Sequence, residues 1–260
     1  MSSADRIRDA FTSKAFVGFV TGGDPTVEDT RRYIGVLVKA GASLVEIGVP
    51  FSDPIAEGPT IQAASERALA NGTTLEQLFS LVETLRHVDE ITIPLALMTY
   101  ANPVHHYGYD SFFAKCAKVG VDAVIIPDLP FEEHGELRET TEKHGVCLIS
   151  MIAPTSADRI RRIAQDATGF IYLVSSMGVT GVRTEINTDI SAIVKEIRTV
   201  TDVPVAVGFG ISTPDQVATM AAQADGVIVG SALVNLIGSH GSCADEALEG
   251  LVRQMVDALE

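Results

Sequence analysis

Two carboxylates, Glu46 and Glu57, are the strongest chemical feature of the chain. Glu46 stands inside a short apolar run, Leu44-Val45-Glu46-Ile47. Glu57 lies in the loop that follows, which is punctuated by Gly48, Pro50, Pro54, Gly58 and Pro59 and also carries Ser52 and Asp53. An ionisable group on an apolar strand is costly to bury unless it is paired or used. Apolar walls such as Val45, Ile47 and nearby Phe19 raise the pKa of a carboxyl and suit it to general acid and base work. Each residue also has a structural alternative. Glu46 could be a carboxylate tied to backbone N–H groups at a strand end. Glu57 alone reads equally as a solvated loop acid, and Asp53, before Pro54, as a turn residue.

A second chemistry is written in glycine. Gly208-Phe209-Gly210-Ile211-Ser212 and Gly230-Ser231 each follow a short apolar run, and the latter opens a helical turn from Ala232 to Ile237. Glycine lets the backbone approach an anion closely, and the free N–H groups at a helix start favour phosphate. Tight turns alone are the alternative. Gly178 and Gly181 offer further backbone donors or the hinges of a lid. The six histidines are scattered, and even His105-His106 has no ligand spacing, so no metal site is expected. Cys116, Cys147 and Cys243 form no CxxC pair and are odd in number, which suits reduced thiols in the cytoplasm.

Eight apolar runs precede these loops: Phe16 to Thr21, Leu44 to Ile47, Pro94 to Met98, Val121 to Ile126, Val146 to Ile152, Gly169 to Val174, Pro204 to Val207 and Gly226 to Val229. They are continuous rather than alternating, as in parallel strands buried on both faces. Helical stretches lie between them. Thr26, Thr74 and Thr213 read as N-caps, and Asn71-Gly72 separates two helices after the second strand. Tyr100-Ala101-Asn102-Pro103 reads as a loop. Eight strand–helix alternations predict a single-domain (β/α)8 TIM barrel over residues 1–260. A doubly wound open sheet is the structural alternative. In a barrel the loops after the strands share one face, and catalysis sits there.

The chain has 260 residues, 46% of them apolar and 20% charged, with a formal net charge of −15. That balance argues against nucleic acid and anionic membranes as partners. No apolar run reaches the length of a membrane span, and the first residues carry acids without an apolar signal core. A cytoplasmic enzyme is expected.

Taken together, these motifs resemble the tryptophan synthase alpha chain family. The most specific segment is Glu46-Ile47-Gly48-Val49-Pro50-Phe51-Ser52-Asp53-Pro54, continued by Gly58-Pro59-Thr60-Ile61-Gln62. Gly23-Asp24-Pro25, Tyr100-Ala101-Asn102-Pro103, Asp128-Leu129-Pro130, Gly178-Val179-Thr180-Gly181 and Gly208-Phe209-Gly210-Ile211-Ser212 follow in order. The resemblance implies retro-aldol cleavage of indole-3-glycerol phosphate to indole and glyceraldehyde 3-phosphate. It implies Glu46 for proton transfer and the carboxylate at position 57 for the charge that grows on the ring nitrogen. Phe19, Tyr100, Tyr172 and Phe209 would wall the indole. Gly181, Gly208, Gly210, Gly230 and Ser231 would hold the phosphate, and Thr180 would position the carboxylate at 57. The implied partner is a beta chain carrying pyridoxal phosphate, in an alpha2-beta2 heterotetramer, with Asp53 at the contact and no cofactor on this chain. The family's usual residue at position 57 is Asp, so Glu57 is a departure.

Overall fold

The computed structural model describes residues 1–175 and 189–260. Its strands are β1 (Ala15–Thr21), β2 (Leu44–Gly48), β3 (Leu95–Met98), β4 (Ala123–Ile125), β5 (Cys147–Leu148), β6 (Ser150–Ile152), β7 (Ile171–Val174), β8 (Val205–Gly208) and β9 (Gly226–Val229). Every pairing is parallel, in the order β5-β4-β3-β2-β1-β9-β8-β7-β6. The two ends of that order are consecutive in the chain, joined through Ile149, whose N–H donates to Val124 O at 2.9 Å. The sheet therefore closes into a barrel. The fifth expected strand, Val146 to Ile152, is a single path around the barrel that is interrupted at Ile149.

The helices are α1 (Ser3–Ala10), α2 (Val27–Lys39), α3 (Pro59–Ala70), α4 (Leu75–His87), α5 (Ala101–Tyr107), α6 (Tyr109–Val119), α7 (His134–His144), α8 (Ala157–Gln165), α9 (Ile190–Arg198), α10 (Pro214–Ala221), α11 (Ser231–His240) and α12 (Asp245–Asp257). The predicted caps form. Thr26 accepts from Asp29 N, Thr213 from Gln216 N, and Thr74 makes a reciprocal capping box with Gln77.

Two elements differ from expectation. Tyr100-Ala101-Asn102-Pro103 is not a loop: α5 starts at Ala101, and Pro103 sits in its first turn, where a missing N–H costs no intrahelical bond. The N-terminal residues form a helix, α1, capped by Ser2, which accepts from Asp5 N. Ile7 of α1 is fully buried among Val17, Leu44, Ala96, Ala123, Cys147 and Phe170 inside the barrel. Burying such a side chain contributes about 1.5–3 kcal/mol. Arg6 and Arg86 both pair with Asp122, at 2.7 and 2.5 Å, and Asp122 is 1% exposed. The helix thus plugs the end of the barrel opposite the βα loops.

Side-chain alternation divides the core. Val45, Ile47, Leu95 and Leu97 face the helices, while Val17, Leu44, Ala96 and Ile228 fill the barrel interior. By the same alternation Phe19 and Glu46 point inward, and the register sets them side by side on β1 and β2. Nothing apolar in period or composition forces a carboxylate into that layer.

Candidate active site

Glu46 sits on β2 between Val45 and Ile47, in register with Phe19 and Ala96 on the flanking strands. It has no solvent exposure, and neither carboxyl oxygen has a hydrogen-bond partner among the described residues. Burial pushes its pKa up to about 8. The expected alternative, a carboxylate tied to backbone N–H groups, is thereby ruled out among the described residues. Tyr172 stands near it, and burial followed by the Glu46 charge holds that phenol well above its ordinary pKa.

Glu57 lies in the β2–α3 loop, just before the α3 cap Gly58 and Pro59. It is 8% exposed, so it is not a solvated loop acid. Burial pushes its pKa up to about 7, and a hydrogen bond from Tyr100 offsets part of that rise. Gln62 Nε2 anchors the Glu57 carbonyl at 2.7 Å, and Oε2 is buried without a partner.

Phe19 links the acids to the glycines. A Cβ at Gly48 would lie 2.5 Å from Phe19 Cζ, and one at Gly230 would lie 3.4 Å from Phe19 Cβ. This follows from topology, because β1 lies between β2 and β9. Gly230 precedes α11 without a side-chain cap, and the first α11 bond runs from Val234 N to Gly230 O. The N–H groups of Ser231, Ala232 and Leu233 therefore have no intrahelical acceptor and lie at the positive end of the helix dipole. Phe209 carries φ +74, uncommon for a bulky residue. Ser175, fully buried, holds it by donating through Oγ to Phe209 O at 2.5 Å and through N–H to Gly208 O at 3.0 Å. The Phe209 ring meets Tyr172 edge-on, with centroids 6.1 Å apart.

The two acids, the rings and the glycine turns share one pocket, whose open space, mouth included, is about 610 Å³. Glu46 and Glu57 line it with Phe19, Tyr172 and Phe209, and Gly210, Gly230 and Ser231 complete it. A protonated buried acid, a second acid, an apolar ring-sized wall and free backbone donors suit a planar apolar substrate with an anionic tail. The tryptophan synthase alpha chain family model matches residues 8–259.

The chain belongs to the tryptophan synthase alpha chain family.

The tryptophan synthase alpha chain of Lactiplantibacillus plantarum is 51% identical over 248 residues, covering 95% of this chain and 93% of that one. That of Methanosarcina mazei is 47% identical, covering 93% and 87%. The crystal structure of the alpha chain from Legionella pneumophila superposes with a TM-score of 0.87 at 36% identity, covering 100% of this chain and 97% of that chain. A chain of the tryptophan synthase complex from Pyrococcus furiosus gives 0.84 at 34% identity, covering 94% and 98%. The TIM barrel is therefore the fold of this alpha-chain family member, and the doubly wound alternative is excluded.

Most residues anticipated for an alpha chain site meet in the cavity, but not all do. Tyr100 is 2% exposed and stands behind Glu57 rather than on the cavity lining. Gly208 is also off the lining, its side-chain space taken by the Tyr172 ring. Asp53 is exposed and accepts from Ser52 Oγ at 2.5 Å. Thr180 and Gly181 lie outside the described residues, as does Gly178. Asp24, on the same face, is buried and bound to Arg67 through both oxygens at 2.7 Å, which makes it structural. The sequence reading missed Ile61, Met98, Pro127, Met151 and Ile228 in the cavity walls. An apolar residue facing a cavity carries no mark that separates it from one in the core. Ser175 is legible in the sequence as the polar residue that ends the sixth strand run and opens the loop of Gly178 and Gly181, but its bond to Phe209 is not.

Proposed function

We propose that this chain cleaves indole-3-glycerol phosphate to indole and glyceraldehyde 3-phosphate, with Glu46 and Glu57 as its working carboxyls. Glu46 carries the reading: it is a fully buried, unpartnered acid in the cavity that Gly210, Gly230 and Ser231 also line. With a pKa near 8 it holds a proton at neutral pH. It donates that proton to C3 of the indole, and positive charge appears at the ring nitrogen. The Glu57 carboxylate stabilises that charge across the cavity. The Glu46 carboxylate then takes the proton of the side-chain hydroxyl. The O–H electrons form the aldehyde C=O, the carbon–carbon bond breaks, and its electron pair neutralises the ring. Glu46 ends protonated, ready for another turnover.

Backbone donors of Gly210, Gly230 and Ser231 hold the phosphate, with Gly181 as a further donor. Phe19, Tyr172 and Phe209 wall the ring, and Thr180 steadies the carboxylate at 57. Indole passes to a beta chain in an alpha2-beta2 assembly. A structure among the similar ones is described as a mutually activating a2b2 complex from Pyrococcus furiosus, which supports such a partner. In this proposal Asp53, exposed in the β2–α3 loop, is assigned to that contact. Pyridoxal phosphate belongs to the beta chain, and this chain needs no cofactor for the steps above. Among the described residues no helix is long and apolar enough to cross a membrane, and no cluster of three or more His, Cys, Asp or Glu could hold a metal. The role proposed is a cytoplasmic, biosynthetic one.

The test is incubation with indole-3-glycerol phosphate, alone and with a beta chain, while indole is followed. Indole release that vanishes in Glu46→Gln is the expected result. Unchanged release in that variant would remove Glu46 from the mechanism.

A further inference from the structure

Tyr100 is gripped twice by the loop that carries Glu57. Its ring stacks on Phe51, with centroids 5.1 Å apart and 29° between planes. Its hydroxyl accepts from Ala56 N–H at 3.2 Å. Phe51 and Ala56 both belong to the β2–α3 loop, and Glu57 follows Ala56 directly. A phenol has one proton and two lone pairs. With Ala56 on a lone pair, the proton is free to be donated, and the Glu57 carboxyl lies within its reach. Gln62 fixes the Glu57 main chain from the other side. The Glu57 Oε2 atom is left buried and unpartnered, and Glu57 lines a cavity that Tyr100 itself does not line.

We propose that Tyr100 is a positioning residue that acts through Glu57, steering its carboxyl so that Oε2 faces the reacting ring, rather than a wall of the ring pocket. The inference rests on the role given to Glu57 above. Glutamate has one more rotatable bond than the aspartate usual in the family, so a fixed donor matters more here. A misplacement of ~1 Å at a reacting centre costs about 10²-fold in rate.

Tyr100→Phe removes the hydroxyl and keeps the stacked ring. We would compare the full chain, Tyr100→Phe, Glu57→Gln and the double variant, each with a beta chain present. Indole-3-glycerol phosphate cleavage and the ¹³C-NMR titration of the Glu57 carboxyl would be measured. A donor to a carboxylate favours its ionised form, so losing it moves the titration to higher pH. The expected result is a rise of about half a pH unit or more, with kcat down about tenfold or more and KM changed less than about threefold. In the Glu57→Gln background, Tyr100→Phe should cost little further. An unmoved titration overturns the proposal. So does a loss that simply adds to that of Glu57→Gln, or one confined to KM, because a ring wall would behave that way. If the unaltered chain releases no indole, the functional reading fails, while the carboxyl titration still decides the contact.

Discussion

Tyr172 occupies the space that a side chain at Gly208 would need. A Cβ at position 208 would lie 2.6 Å from the Tyr172 hydroxyl oxygen and 2.7 Å from its Cε1. The two residues are on neighbouring strands, β7 and β8, and Tyr172 is almost fully buried. Its ring cannot withdraw without disturbing Phe209, which it meets edge-on. Gly208 therefore keeps the ring beside Glu46, a role in addition to any backbone contact with phosphate. Gly208→Ala is expected to destabilise the fold by about 1–3 kcal/mol through overpacking and to lower cleavage. Denaturant melts and kcat for the single variants and for the pair with Tyr172→Ala check this. Strict additivity of the two substitutions would show that they do not meet.

The activity profile with pH should be narrow. In the proposed mechanism Glu57 must be ionised to stabilise a cation, and its pKa lies near 7, so kcat/KM rises through that value. Glu46 must be protonated to act as the acid, and its pKa lies near 8, so kcat/KM falls above it. Kinetics from pH 5.5 to 9.5 test the shape, and Glu57→Gln should remove the rising limb.

Stability should also respond to pH through Glu46. Its folded pKa, near 8, lies above the ordinary 4.5, so the folded state holds a proton that the unfolded chain releases. Stability associated with this group is complete below the ordinary value and is lost as pH rises through the folded one. Glu46→Gln cannot ionise. It is expected to be more stable than the unaltered chain at pH 8 by roughly 4 kcal/mol, with the difference shrinking to under about 1 kcal/mol toward pH 5. Urea melts at the two pH values decide it, and an equal difference at both would overturn the assignment.

Position 57 tests arm length against charge. Glu57→Gln is expected to cut kcat by about 10²-fold or more, because a preorganised charge opposite the ring nitrogen is lost. Glu57→Asp keeps the charge but withdraws it by one methylene from a loop set by Gln62 and Ala56. A loss of about tenfold is expected for it, since ~1 Å at a reacting centre is costly. Steady-state cleavage assays separate the two. Full activity in Glu57→Gln would deny position 57 a charge role.

Much of the barrel was legible because its signals are local. Continuous apolar runs mark strands buried on both faces, and Thr26, Thr74 and Thr213 each cap a helix through their own side chains. Helix α1 escaped because its burial depends on strands far along the chain: Ile7 and Arg6 gain their partners only when the barrel interior and Asp122 exist. Helix α5 escaped because a proline in a first turn looks the same as one in a loop.

By itself the sequence determined which residue types were available for chemistry: an acid on an apolar strand, a second acid in the next loop, and glycines after the last two strands. It did not determine which way Glu46 points, because the apolar run around it is continuous on both sides. Only the tertiary structure decided what those residues face. Closure of the sheet sets β1 between β2 and β9, and so brings the acids and the open end of α11 onto one cavity with Phe19 between them. It placed Tyr100 behind Glu57 and Tyr172 over Gly208, and it left both Glu46 oxygens unpartnered among the described residues. The reason is physical: a pKa or a steric contact depends on what surrounds a group in space, and here those neighbours come from distant parts of the chain.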